Sequence, residues 1–337
     1  MALRIDEPAS LKALNSFGVS ARAARLITLD DPADLDSALA LLAQAPRALV
    51  LGGGSNLLLA ADFDGTVLRV ALRGRRIVAD EGGAAVVEAA AGENWHDFVC
   101  WTLDQGLSGL ENLSLIPGTV GASPIQNIGA YGVEMREHFA GLTALDLDSG
   151  QPRDFAPQDC AFGYRDSVFR HPQGRWLVVR VRFRLSRQPQ LRLDYGEIRQ
   201  ELARAGCERP GPADVARIVR AIRRRKLPDP ARIGNAGSFF KNPLVEPALA
   251  QTLAASHPDM PSWPAGERVK LSAAWLIERC GWKGAREGDA GVHAAHALVL
   301  VNHGRASGAQ ILALAGRIRD SVVRRFGVEL EPEPLVL

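Results

Sequence analysis

Residues Gly234-Asn235-Ala236-Gly237-Ser238-Phe239-Phe240-Lys241-Asn242-Pro243 put one hydroxyl, two amides and one ammonium on a tight turn. Packing alone does not require that set. Glycine at 234 and 237 lets the backbone approach a ligand or take positive φ without a Cβ penalty. Phe239 and Phe240 can anchor the turn in apolar surroundings, which fixes where the Ser238 hydroxyl points. A mobile loop has little use for a Phe pair. Ser238 is therefore expected to be a positioned donor, suited to general acid work.

Two glycine-rich stretches offer binding chemistry. Gly52-Gly53-Gly54-Ser55-Asn56 follows an apolar run, as a dinucleotide-binding turn would. That motif also needs glycine at 57 and a helix after the turn, whereas Leu57-Leu58-Leu59 reads as strand. A Walker A lysine is missing too. What remains is strand, turn, strand, whose successive N–H groups can form an anion-binding nest for a diphosphate; a plain hairpin turn is the alternative. The second stretch, residues 112–133, has no charged side chain. A surface loop is normally polar, so this one is expected to fold inward or against a flat ligand. Its backbone donors and the amides of Gln126 and Asn127 suit a heterocycle edge and a phosphate.

These segments need rigid neighbours. A helix is expected at 34–44, strands at 48–51 and 66–70, then strands near 76–78 and 85–90, from the apolar periodicities. A helix over 95–105 carries Trp95, Phe98, Val99 and Leu103 at helical spacing. Strands near 142–148 and 177–185 follow, and a linker at Arg209-Pro210-Gly211-Pro212. The last part reads as a basic helix at 214–225, the Ser238 turn, a helix near 272–280, a strand at 296–301 and a helix at 308–326. The fold class is α+β: two sheet-rich units and a C-terminal α/β unit, divided at 1–70, 71–209 and 210–337.

Composition narrows the class. At 337 residues the chain is long enough for two or three packed units. A net charge of +2 argues against a dedicated nucleic-acid binder. No apolar run approaches the ~20 residues of a membrane span, and Asp6, Glu7 and Pro8 stand where a signal peptide would be apolar. Cys100, Cys160, Cys207 and Cys280 form no C-x-x-C pair, and reduced, mostly buried thiols in the cytoplasm are expected. His293, His296 and His303 lack the companion ligands of a zinc site, so no metal is expected. For most of Arg217, Arg220, Arg223, Arg224 and Arg225 a solvated helix face is the better reading. Lys226 differs, because Leu227-Pro228-Asp229-Pro230 ends the helix at once and aims its last residue. Tyr195, taken alone, reads as a buried core tyrosine.

The chain resembles the UDP-N-acetylenolpyruvoylglucosamine reductase (MurB) flavoenzymes. The resemblance rests on Asn15-Ser16-Phe17-Gly18, residues 52–56 and 116–132, Phe162-Gly163-Tyr164-Arg165-Asp166-Ser167, Leu193-Asp194-Tyr195-Gly196, Lys226-Leu227-Pro228-Asp229-Pro230, residues 234–243 and Leu330-Glu331-Pro332-Glu333, in family order. The Tyr195 segment points to the longer subtype. What the resemblance implies is a two-subdomain FAD-binding fold of the vanillyl-alcohol-oxidase (PCMH) type, with a third domain for substrate. The C-terminal residues could return to the first subdomain. NADPH would reduce FAD, and hydride and proton would then convert the enolpyruvyl group of the UDP-sugar to a muramate for peptidoglycan synthesis. Flavin contacts would fall on Gly52, Gly53, Gly54, Ser55, Asn56 and Leu57, and on Pro117, Gly118, Gly121, Ala122, Gln126, Asn127, Gly129, Ala130, Tyr131 and Gly132. Ser238, Arg165 and Glu333 match the family's catalytic positions, and Tyr195, Lys226 and Asn242 those that hold the nucleotide diphosphate. A cytoplasmic monomer acting on small molecules is implied, without nucleic-acid or membrane partners. One departure is the tail: the family continues after its glutamate with Val-Arg, this chain with Pro334-Leu335-Val336-Leu337.

Hydride addition to an enolpyruvate makes a carbanion at C2, conjugated to an already charged carboxylate. Arg165 meets the need for a fixed cation, because guanidinium stays charged and can bind both oxygens. An ionised Glu333 beside that charge would oppose the reaction, so it either orients Arg165 or is protonated. Another flavin oxidase or dehydrogenase on the same fold is the rival enzyme reading; a non-catalytic UDP-sugar or RNA-binding module is the rival outside enzymes.

Overall fold

The computed structural model describes residues 3–171 and 175–337. Contacts divide the chain into two compact units. The first takes the chain start to Ala9, Ala23–Gly53 and Asp64–Arg223; the second takes Ser10–Arg22, Gly54–Phe63 and Arg224–Leu337. The three-part division expected from the sequence follows chain order, whereas the contact-defined units cross it.

In the first unit, one sheet orders the strands Arg4–Asp6, Arg22–Leu29, Phe63–Val70 and Ala48–Leu51, the last two parallel. Helix Leu35–Ala43 precedes Ala48–Leu51. A second sheet runs Pro152–Phe155, Phe139–Asp146, Trp176–Ser186, Ala84–Ala90 and Arg75–Asp80, antiparallel throughout. Ala84–Ala90 buries every second residue, the signature of a strand with one face on the core. That face meets Trp95, Phe98 and Val99 from helix Trp95–Asp104. The helix starts where the Asn94 side chain accepts the Asp97 N–H, which satisfies one of its orphan donors. Helices Gly196–Arg204 and Pro212–Lys226 make a smaller core of Ile198, Leu202, Val215, Ile218, Val219 and Ile222. Pro212, expected in a linker, is the first residue of its helix, a position where its missing N–H costs nothing.

The second unit packs helices Pro247–Ser256, Ala273–Arg279 and Gly308–Phe326 with short antiparallel strands around Phe239, Phe240, Leu271, Leu276 and Ile318. Gly308–Phe326 is the best specified element: Ser307 and Gln310 form a reciprocal capping box. Its buried residues Ile311, Leu314, Ala315, Ile318 and Val322 recur every three or four positions. The strand expected at 296–301 is shorter and later, at Leu300–Asn302, because His296 to Val299 form a turn closed by Val299 N–H donating to the His296 carbonyl at 3.0 Å.

Candidate active site

In the first unit the two glycine stretches meet. A Cβ on Gly52 would lie 2.6 Å from Thr119 Oγ1, and one on Gly53 2.9 Å from the Gly118 Cα. These two glycines therefore serve close approach between loops. The turn is not a hairpin: Ala48–Leu51 pairs with Phe63–Val70, whereas Leu57–Leu58 pairs with Leu335–Val336. The uncharged loop is pinned from its start. Trp95 Nε1 donates to the Leu113 carbonyl at 2.9 Å, Leu115 N–H to His96 Nδ1 at 3.1 Å, and Val120 and Gly121 N–H to the carbonyls of Glu93 and Ala91. Within it Pro117 and Gly132 are exposed, while Gly118, Ala122, Gln126, Gly129, Ala130 and Tyr131 are half-buried.

Arg165 and Tyr195 both attach to this loop. Arg165 sits at φ +55°, a strained conformation for a non-glycine residue, and its Nη2 donates to the Gly129 carbonyl at 2.9 Å. Tyr195 is 48% exposed and packs edge-on against Tyr131, ring centres 5.2 Å apart. It is no core tyrosine. Asn127, by contrast, is fully buried with its amide committed inside the unit, to Glu134, Gly163 and Arg136.

The basic helix is less uniformly solvated than its charge suggested. Arg217, Arg224 and Arg225 are exposed, but Arg220 reaches the Cys100 sulfur at 3.8 Å and Arg223 donates to the Leu115 carbonyl at 3.2 Å. Burial pushes the Arg223 guanidinium below its ordinary range. Arg220 and Arg223 follow the buried Ala216 and Val219 by four residues, and that spacing was the available signal.

The second unit gathers Ser238, Glu333 and Asn242. Gly237 turns at φ +72°, and its N–H donates to Asn235 Oδ1 at 3.0 Å. Buried Phe239 then donates its N–H to the Leu298 carbonyl at 2.7 Å, while its own carbonyl accepts from Glu333 N–H at 2.9 Å. Ser238 is therefore one residue from the backbone hydrogen bond that fixes Glu333. Its half-buried hydroxyl carries no hydrogen bond among the described residues. The tail is tied down as well: Asn56 Nδ2 donates to the Glu333 carbonyl at 3.3 Å, and Leu335 N–H to the Asn56 carbonyl at 3.0 Å. Pro334 does not obstruct this, since the ladder uses the N–H groups of Leu335 and Leu337. Asn242 Oδ1 accepts from Ala273 N–H at 3.0 Å, which leaves its Nδ2 donor without a partner among the described residues. Lys226 and His296 are close enough for charge coupling. Burial first, then the Lys226 ammonium, hold the His296 imidazole below its usual value.

The donor set fits a flavin dinucleotide. Each unit has one buried hydroxyl with no partner within the described chain, Ser114 Oγ in the first and Ser16 Oγ in the second, and an unmet buried donor is costly unless a ligand takes it. Ser16 lies at the Gly54 turn, donating its N–H to the Gly54 carbonyl at 3.0 Å, and Ser114 opens the uncharged loop. Gly54, Ser55, Asn56 and Leu57 belong to the second unit, Gly52 and Gly53 to the first. No group of three His, Cys, Asp or Glu among the described residues could hold a metal. The cysteines are all free thiols; only Cys160 is fully buried, and burial pushes its thiol up to about 12.

An FAD-binding-domain family model matches residues 23–155, and the model of the C-terminal domain of UDP-N-acetylenolpyruvoylglucosamine reductase matches 229–337. The reductase of that name from Pseudomonas aeruginosa is 56% identical over 336 residues, 99% of each chain. That from Chromobacterium violaceum is 56% identical over 342 aligned positions, all of each chain. This chain belongs to the UDP-N-acetylenolpyruvoylglucosamine reductase family. A solved member from Thermus caldophilus aligns over 99% of both chains at 27% identity, with a TM-score of 0.68. Family membership accounts for an FAD-binding fold built on the α+β architecture described above. No helix among the described residues is long and apolar enough to cross a membrane.

Proposed function

We propose that this protein is an NADPH-dependent, FAD-containing reductase that converts the enolpyruvyl ether of UDP-N-acetylglucosamine to UDP-N-acetylmuramate for peptidoglycan synthesis. The observation that carries this reading is the Ser238 turn, with its unpartnered hydroxyl one residue from the backbone contact of Phe239 with Glu333, in a chain 56% identical end to end to reductases of that name. FAD, when bound, supplies hydride to C3 of the enolpyruvyl group, and NADPH replenishes it. Residues 52–57, together with Pro117, Gly118, Gly121, Ala122, Gln126, Gly129, Ala130, Tyr131 and Gly132, would hold the flavin.

Arg165 binds the substrate carboxylate, where its permanent charge stabilises the enolate that forms as C3 is reduced. Ser238 gives its proton to C2, which completes addition across the double bond and leaves an alkoxide to be reprotonated from solvent. Glu333, held at its backbone by Asn56 and Phe239, orients the charges around that step. Tyr195, Lys226 and Asn242 bind the diphosphate, two through neutral donors and one through a cation. In this reading 1–70 and 71–209 are the flavin-binding parts and 210–337 carries the proton donor. The protein acts as a cytoplasmic monomer on small molecules.

The test is anaerobic. The bound flavin is bleached with one equivalent of NADPH, and the enolpyruvyl UDP-sugar is added. Its colour returns with that compound and not with simple enols if the reading holds. Reoxidation by simple enols at a similar rate, or a purified protein that takes up no FAD, overturns it.

A further inference from the structure

We propose that Asn127 is a positioning residue for Arg165, clasping the turn that carries this arginine to the uncharged loop. The inference rests on the role given to Arg165 above and changes that given to Asn127, which the resemblance placed among direct flavin contacts.

Hydrogen bonds among the described residues join residues 125–136 to residues 162–167. Asn127 Nδ2 donates to the Gly163 carbonyl at 3.0 Å; Ser167 Oγ donates to the Ile125 carbonyl at 2.7 Å; Arg165 Nη2 donates to the Gly129 carbonyl at 2.9 Å; Arg136 Nη1 donates to the Phe162 carbonyl at 2.9 Å. Asn127 is the member that cannot be spared. It is 0% exposed, and its amide also donates to Glu134 Oε2 at 3.0 Å and accepts from Arg136 N–H at 3.1 Å. All three contacts run into the protein and use both amide donors, and the side chain is fully buried, so it has no donor left for a ligand. The roles of its oxygen and nitrogen are fixed, because one partner is an N–H and the others a carboxylate and a carbonyl.

The turn it holds needs holding. Arg165 at φ +55° is a conformation that surrounding structure must impose. Within the turn, Gly163 and Asp166 exchange backbone bonds of 3.0 and 3.4 Å. The loop also crowds the guanidinium: a Cβ on Gly129 would lie 3.2 Å from Arg165 Nη1. The loop that receives the flavin thus sets the arginine that receives the carboxylate, and Asn127 joins them.

Asn127→Gly is the clean variant, because Asn127 sits at φ +45°, which glycine adopts freely. Asn127→Asp keeps the shape and the acceptor for Arg136 but sets a carboxylate against Glu134 and the Gly163 carbonyl. It serves as a second probe if the glycine variant folds poorly. Holoenzyme variants are expected to keep FAD and to be reduced by NADPH near the parental rate. Reoxidation by the enolpyruvyl UDP-sugar should slow about 10–10²-fold, the effect of a misplaced binding group. Substrate affinity, read from the flavin absorbance change, should weaken too. Amide exchange followed by mass spectrometry should quicken over residues 162–167 but not in the strand Trp176–Ser186. Unchanged exchange in the turn overturns the proposal, as does faster exchange with parental reoxidation. Parallel loss of FAD binding, reduction and reoxidation also overturns it, since the clasp would then serve the flavin alone. If the parent itself is not reoxidised by this sugar, the functional reading fails, while the exchange data still report on the clasp.

Discussion

A serine hydroxyl is a weak acid, so its usefulness depends on the base it faces. The C2 centre left by hydride addition is more basic than an alkoxide, and Ser238 needs only to be near it and unencumbered. It carries no competing hydrogen bond among the described residues, and Phe239 and Phe240 fix its backbone. Ser238→Ala should therefore leave reduction by NADPH intact and slow reoxidation by substrate about 10²–10⁴-fold, the usual reach of a general acid. Stopped-flow traces of the two half-reactions separate these, and equal losses in both would count against an acid role. The Phe pair made this residue readable from sequence, since it announced a turn with a fixed direction. Asn127 was not readable in the same way. An amide in an uncharged glycine-rich loop looks like a ligand contact, and only its partners Glu134, Arg136 and the distant Gly163 show otherwise. Arg223 escaped for a related reason: composition gave a charged helix face, while its place after buried Val219 put it on the other side.

Loops and helices here use glycine for opposite purposes, and one substitution tells them apart. A Cβ on Gly121 would lie 2.4 Å from the Ala91 Cβ and 2.9 Å from its Cα, and backbone cannot rotate away. Gly121→Ala should destabilise by about 1–3 kcal/mol, as overpacking does, and weaken FAD retention by shifting the loop. Gly316, inside helix Gly308–Phe326, has nothing within 4 Å of its would-be Cβ. Gly316→Ala should stabilise by about 1 kcal/mol through helix propensity alone. Denaturant titration of both variants checks the pair of signs. Elements with their own caps and periodicity, such as this helix and the strand Ala48–Leu51, could be read from sequence to the residue. The apolar run from His296 could not. Its first residues close a turn, and their long-range backbone contacts are single ones to the Ser238 turn, Val299 bridging Ser238 and the Leu298 carbonyl accepting from Phe239, and no local pattern reports a single distant bridge.

For the molecule as a whole, two consequences follow from burial and chain path. His138, His293, His296 and His303 are all held below the ordinary histidine value, with burial the largest cause in each. The unfolded chain therefore binds more protons than the native one from about pH 6.5 downward to the lowered native values. Stability is full above that range and falls as pH drops through it. The melting temperature should decline between pH 7 and pH 5, before carboxylate protonation contributes, and His138→Gln should flatten part of the slope. The second consequence concerns the C-terminal segment, which looks like a free-standing domain because a family model begins at 229. Its core nevertheless includes Phe17, Val19 and Leu58. The Asn302 amide donates to the Phe17 carbonyl at 3.0 Å, and Leu335–Val336 pairs with Leu57–Leu58. A fragment of residues 224–337 lacks all of these, so it loses three buried apolar side chains and one strand partner at once. Removal of a single large core side chain costs about 2–5 kcal/mol, against a typical domain stability of about 5–15 kcal/mol. The fragment should show no cooperative thermal transition and should bind an apolar dye. A sharp unfolding transition in the isolated fragment would mean that residues 10–22 and 54–63 are dispensable to its core.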